Sequence, residues 1–175
     1  MFRLSSDDRQ LYFQFANLLN QINIPPNTQN FPDQIDVKIN FNSDKIKVSV
    51  NEKSFILTTP LQLKDFQIKL FDLLSESFLI INHMKYFPYQ QKLVSEKKSI
   101  SLNHIHNQIF QYLVINQVNG IDKETIYRLI WPNDKNIYLN KIDTHISNLK
   151  KFLDANIQFK LNYEIKNNKI FLIRN

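Results

Sequence analysis

Between Asn140 and Leu153 the apolar residues Ile142, Ile146, Leu149 and Leu153 fall four, three and four positions apart. At about 100° per residue this spacing draws one narrow apolar stripe down a helix. The opposite side carries Asn140, Thr144, Ser147, Asn148 and Lys151, with Lys141 and Lys150 towards the flanks. Short hydrogen-bonding side chains mixed with lysines, and no carboxylate at the centre, suit a helix that lies against nucleic acid. The same stripe also serves an ordinary amphipathic surface helix, so the flanking sequence has to decide.

The 175 residues suffice for one domain or two small ones. With no cysteine, disulfides and thiolate metal sites are excluded, and a reducing cytosol is expected. No apolar run approaches the ~20 residues of a membrane span. The start, Met1-Phe-Arg-Leu-Ser-Ser-Asp-Asp8, lacks a basic-then-apolar signal pattern, so a cytoplasmic protein without membrane association is expected. Abundant Ile, Asn, Lys and Phe with a single glycine point to an AT-rich genome, most simply a bacterial one.

Charge divides the chain. Residues 1–80 hold eight Lys/Arg and nine Asp/Glu, a net of −1, and residues 81–175 hold fourteen and seven, a net of +7; together they give the overall +6. A near-neutral half joined to a basic half points to a polyanionic partner for the second.

Taken in order, that second half begins with short strands and turns from Met84 to Ile100, interrupted by Pro88 and by Ser95-Glu-Lys-Lys-Ser99. A helix follows from about Asn103 to Asn116, burying Ile105, Ile109, Tyr112 and Leu113. Asn119-Gly120 makes a tight turn. Asp122 is placed to cap a short helix by accepting from Glu124 or Thr125 N–H. That helix buries Ile126, Leu129 and Ile130 and stops at Trp131-Pro132, with Trp131 in the core. A polar loop, 133–138, leads to the helix beginning at Asn140. Two strand-like runs, Ile157–Ile165 and Lys169–Ile173, close the chain around Lys166-Asn-Asn-Lys169, where asparagine tolerates a tight hairpin's left-handed backbone.

Three helices closed by a β-hairpin, with a strand layer in front, make a winged helix-turn-helix. The residues also resemble the DNA-binding effector domain of OmpR/PhoB-type response regulators. Lys85–Leu102 looks like that family's small amino-terminal sheet, with Leu102-Asn103 where the family has Leu-Thr. Asp122–Trp131 resembles its second helix, Ser-Arg-Glu-x-Leu-Leu-x-x-Val-Trp. Asp143–Leu153 resembles its recognition helix, Asp-Val-His-Ile-x-x-Leu-Arg-x-Lys-Leu. Ile165–Ile170 sits where the family has the wing sequence Val-Arg-Gly-x-Gly-Tyr. The register holds without a gap from Leu102 to Trp131, and the resemblance covers roughly residues 84–173.

The departures are specific. His106 replaces a first-helix glutamate, Asn167 and Lys169 replace both wing glycines, and Asn148 and Lys150 replace recognition-helix arginines. Lysine lacks the bidentate fork that arginine presents to guanine. The expected readout is therefore looser or biased to A·T, reached partly through groove shape.

Residue by residue, the resemblance implies that Thr144 and Asn148 face base edges, Asn148 being able to pair with adenine. It puts Asn140, Lys141, His145, Ser147, Lys150 and Lys151 on phosphates or the groove rim; His145 suits equally a boundary position packed against the helices. It assigns Lys123 to a phosphate and Lys166 to the minor groove. The loop 132–138 lies where this family touches RNA polymerase.

In the first half, residues 7–22 read as a helix with Leu11, Phe15, Leu18, Leu19 and Ile22 at helical spacing. Pro25, Pro26 and the Asn/Gln-rich stretch to Pro32 form a loop. Ile35–Phe41 and Ile46–Val50 alternate with period two, the mark of a hairpin, and Phe55–Thr58 reads as a further strand. Leu61–Ser75 reads as a helix burying Leu63, Phe66, Leu70, Leu73 and Leu74. The two ends of this half are similar to those of a phosphoacceptor receiver domain: a first strand with an acidic pair, Asp7-Asp8, and a last strand, Phe55–Pro60, leading into a last helix. Thr59 stands where a receiver has lysine, and no strand ends in an acceptor aspartate. A receiver needs its acid pair, acceptor and lysine together. The expectation is a shortened, non-phosphorylated receiver remnant over 1–80, or an unrelated small α/β dimerisation domain.

The expected fold class is therefore α+β: a winged helix over 84–175 preceded by a small α/β domain over 1–80. The expected function is a phosphorylation-independent, DNA-binding transcriptional regulator, with double-stranded DNA as partner and a homodimer formed through the first domain. The alternative is a winged helix that docks a signalling protein without binding DNA. No catalytic residue, cofactor or metal is expected: His104 and His106 diverge at their i, i+2 spacing, and His83 and His145 belong to no Ser/His/Asp or metal-ligand pattern.

Overall fold

The computed structural model describes residues 2–21, 35–42, 44–50, 52–58, 61–96 and 98–173. Ile22, the loop through Pro25, Pro26 and Pro32, and the Thr59-Pro60 pair lie outside the described residues. The chain divides into two compact units, Met1–Leu79 and Ile80–Asn175.

The first unit runs β1 (Phe2–Ser5), α1 (Arg9–Gln21), β2 (Ile35–Asn42), β3 (Lys45–Val50), β4 (Lys53–Thr58) and α2 (Leu63–Glu76), with its strands side by side in chain order. Alternation fixes the register. Ile35, Val37 and Ile39 point into the core, and Val37 and Ile39 face Val50 and Val48 across the antiparallel β2–β3 pair. The Phe15 and Phe66 rings meet edge to face at 5.3 Å, so α1 and α2 share one face of the sheet. Lys38 and Lys47 look out from the other.

A receiver sheet is parallel and covered on both faces. Among the described residues, β1–α1–β2 is the one parallel unit, and β2, β3 and β4 form an antiparallel meander with α1 and α2 on one face. Leu63, expected in the core, is outward, and Phe66, Leu70 and Leu74 alone are fully buried along α2.

The second unit opens with the strands β5 (Leu79–Ile81), β6 (Met84–Phe87), β7 (Lys92–Val94) and β8 (Ser99–Ser101), in that order across one sheet. Next come α3 (His104–Ile115), β9 (Ile121–Asp122), α4 (Lys123–Ile130), α5 (Leu139–Ile157), β10 (Asn162–Lys166) and β11 (Lys169–Ile173). The last hairpin forms a second sheet in the order β10-β11-β9. This is the winged helix the sequence predicts. Its core joins Ile109, Phe110 and Leu113 of α3 to Ile126 of α4, the α5 stripe and Ile170 of β11. The buried Tyr86 and Asn107 are matched to each other. The Tyr86 hydroxyl donates to Asn107 Oδ1 at 2.7 Å, and Asn107 Nδ2 donates to Pro88 O at 3.1 Å, tying the first sheet to α3.

Gly120 has φ +65, and a Cβ there would come within 2.6–2.8 Å of the Phe171 ring. Both the left-handed backbone and the close approach require glycine.

Three local expectations fail for readable reasons. Asp122 precedes α4 but makes no side-chain cap bond, because its backbone is drawn into the pairing of β9 with β11. Leu129 is outward and Tyr127 takes its place inside, its hydroxyl donating to Asp134 at 2.6 Å. Ile157 ends α5 rather than opening a strand, since it lies one turn beyond Leu153 and continues the same buried stripe.

Candidate nucleic-acid interface

Along α5 the packing side is complete: Ile142, Ile146, Leu149 and Leu153 are at most 1% exposed. Burial of such side chains is worth ~1.5–3 kcal/mol each, which fixes the rotation of the helix about its axis. Rotation then decides what faces out. Asn140, Thr144, Ser147, Asn148, Lys150 and Lys151 all lie on the exposed side. The helix closes at Gln158, left-handed at φ 57, whose N–H donates to the carbonyls of Asp154 and Leu153.

Three further residues expected at the interface, Lys123, Lys141 and His145, also have partners within the unit. Lys123 has a side chain only 20% exposed, with Nζ 2.6 Å from Asp143 Oδ1. That pair ties the start of α4 to α5. Lys141 Nζ lies 3.7 Å from the centre of the Trp131 ring and 3.6 Å from Asp134 Oδ2. Trp131, expected in the core, is only partly covered and serves as the floor under this lysine. His145 is half-buried, its ring 5.5 Å from Trp131 and 6.2 Å from His106. Burial, and then Lys141, hold the His145 imidazole below the usual histidine value. Its boundary reading is the one its surroundings match.

Local geometry also tunes the outward side chains. Thr144 Oγ1 donates to Asn140 O at 2.9 Å, so its hydroxyl proton is committed and its methyl and lone pairs remain to meet a ligand. Lys150 Nζ sits 5.9 Å from the Tyr163 ring of β10, which steers it towards the hairpin. At the hairpin tip Asn167 and Asn168 have φ 49 and 63, both left-handed as a two-residue type I′ turn requires. Lys166 beside them is outward and pairs with Glu164 at 2.8 Å. Asp134, Asp143 and Tyr163 escape the sequence reading because their roles come from residues that only the fold brings near.

Residues 97–166 match the family model described as transcriptional regulatory protein, C terminal. No curated protein matches the chain. Among solved structures, the DNA-binding domain of E. coli CadC aligns at 10% identity and TM-score 0.49, covering 58% of this chain and 95% of that one. The C-terminal domain of the nisin resistance regulator NsrR, a lantibiotic response regulator, aligns at 20% identity and TM-score 0.44, covering 53% and 93%. A structure described as a novel family of redox sensors in the streptococci, evolved from two-component response regulators, aligns at 8% identity and TM-score 0.45, covering 99% and 68%. With the family match lying across α3, α4, α5 and β10, the second unit of this chain matches the OmpR/PhoB-type DNA-binding domains of transcriptional regulators and has their winged-helix fold.

Proposed function

We propose that the chain is a DNA-binding transcriptional regulator, with α5 in the major groove and the 165–170 wing at the minor groove. The observation that carries this reading is the outward side of α5. Six short polar or lysine side chains are presented there, and Lys166 lies outward on the hairpin that follows. In this reading Asn148 and the Thr144 methyl meet base edges, while Asn140, Ser147, Lys150, Lys151 and Lys166 meet phosphates. Lys123, Lys141 and His145 act behind them, holding α5 in place through Asp143, Trp131 and His106.

The first unit dimerises the protein and sets two winged helices on half-sites about one helical turn apart. Regulation is independent of receiver phosphorylation, because Thr59 stands where a receiver has lysine and the acidic pair has local roles. Asp8 Oδ1 caps α1 by accepting from Gln10 and Leu11 N–H at 2.7 and 3.1 Å, and Asp7 pairs with Lys38 at 3.2 Å. The protein acts in the cytoplasm and performs no catalysis. Among the described residues, no helix is long and apolar enough to cross a membrane.

Duplex binding measured against salt tests the reading. Affinity should fall steeply as salt rises, and Lys150→Ala with Lys166→Ala should reduce the slope by about one counterion for each phosphate no longer neutralised. Failure to hold any duplex from a random pool at low salt refutes it. The second reading, a winged helix docking a protein, then takes over. It is favoured by Leu129, Tyr138 and Leu139, which are outward around the 132–138 loop. If DNA is bound, we assign the same patch to RNA polymerase.

A further inference from the structure

Asn103 and His106 form a reciprocal cap at the start of α3. Asn103 Oδ1 accepts the His106 backbone N–H at 2.8 Å, which fixes the amide's orientation and turns Nδ2 towards His106 Nδ1, 3.2 Å away. An amide nitrogen only donates, so this contact requires a bare Nδ1 and places the imidazole proton on Nε2. The histidine stands where a capping box has glutamate, but its ring accepts from the side-chain amide of Asn103 rather than from the backbone N–H. Beyond the cap, its ring packs on α5, 6.2 Å from both His145 and Phe152.

The surroundings offer a proton nothing. The start of a helix carries a partial positive charge. From α5 the facing titratable groups are His145 and, beyond it, Lys141, which is itself partnered by Asp134 from the preceding loop. On α3 itself the neighbouring His104 is exposed. Among the described residues, no carboxylate pairs with either imidazole.

We propose that His106 is a proton-sensitive positioning residue, whose neutral ring closes the α3 cap and braces α5 through His145 and Phe152, and whose protonation opens the cap and loosens the brace. Protonated Nδ1 would face another donor, so the ring would part from the Asn103 amide. Its charge would also add to that of the helix terminus.

Burial, and then His145, hold His106 below the usual histidine value, in keeping with this geometry. The unfolded chain therefore takes up a proton more readily than the folded one. Stability is full above the unfolded histidine value of about 6.5. It falls as pH drops from there to the depressed folded value, and levels off below it. This behaviour belongs to the second unit alone and stands whether or not the chain binds DNA.

Thermal unfolding of the full chain between about pH 7.5 and pH 5 tests it, comparing the natural sequence with His106→Gln, which keeps an acceptor at the cap but does not titrate. The natural protein should lose a few degrees more of Tm than the variant, on the order of 2–5 °C. Nitrogen-15 histidine spectra of the natural protein should show Nδ1 unprotonated near neutral pH, and His145→Gln should raise the His106 titration point. Equal pH slopes for the two proteins overturn the proposal. So does a proton found on Nδ1, or a titration point indifferent to His145, and the spectra decide even if His106→Gln does not fold.

Discussion

The two units use similar materials and present different surfaces. Each packs helices on mainly antiparallel strands with alternating apolar residues. The first nevertheless turns Phe13, Ile56 and Ile68 outward, each more than half exposed. The second also has outward apolar residues, Ile80, Val118 and Tyr138 among them, but beyond Leu139 at its start the outward side of its longest helix carries short polar residues and lysines. Outward apolar side chains gain by losing water, which a protein surface provides. Lysines among small polar groups gain by displacing counterions from phosphate. The net charges of −1 for residues 1–80 and +7 for residues 81–175 follow the same division. Like building blocks thus yield, on α5, an outward side of lysines and short polar groups that the first unit lacks, and the proposed function rests on that difference.

The contrast breaks most readily inside α5. Leu149→Ala should lower the unfolding free energy by about 2–5 kcal/mol in a denaturant titration. An equal drop from neighbouring Asn148→Ala would mean that the two sides of the helix are not distinct. Gly120→Ala should cost the second unit about 1–3 kcal/mol, since the left-handed backbone and the Phe171 ring both oppose a Cβ. Chemical shifts of the first unit should stay in place.

Asn148→Ala should leave stability within about 0.5 kcal/mol while relaxing discrimination at one base pair by about 1–3 kcal/mol, read by sequencing duplexes selected from a random pool. Unchanged base preference would move readout to Thr144 or to groove shape. Asp8→Ala should remove about 1 kcal/mol through the α1 cap and leave DNA affinity untouched in the same assay. A loss of phosphorylation-dependent activity in that variant would restore a receiver role to the first unit.

Periodicity carried most of what was legible. The α5 stripe, the β2–β3 alternation and the Asn167-Asn168 turn are each local patterns, and each folds as its residues dictate. Pairings across distance were not legible. Nothing in the sequence links Lys123 to Asp143 or Lys141 to Trp131, so the partners these lysines hold within the unit could not be read beforehand. Leu129 and Tyr127 exchange roles because the hydroxyl of Tyr127 finds Asp134, a partner seven residues on. Strand direction in the first unit was equally hidden. A period of two reports which face of a strand is wet, and says nothing of whether its neighbour runs parallel. The segment read as a receiver's last strand is β4, the final strand of the antiparallel meander.

The two left-handed asparagines at the hairpin tip have a consequence for binding. Glycine would let the tip sample many bends when free, whereas asparagine restricts the unfolded chain and leaves the native bend intact. A finger shaped during folding reaches a groove without first having to be ordered there. On the proposed reading, Asn167→Gly would weaken duplex binding, because a looser tip must be ordered at the groove.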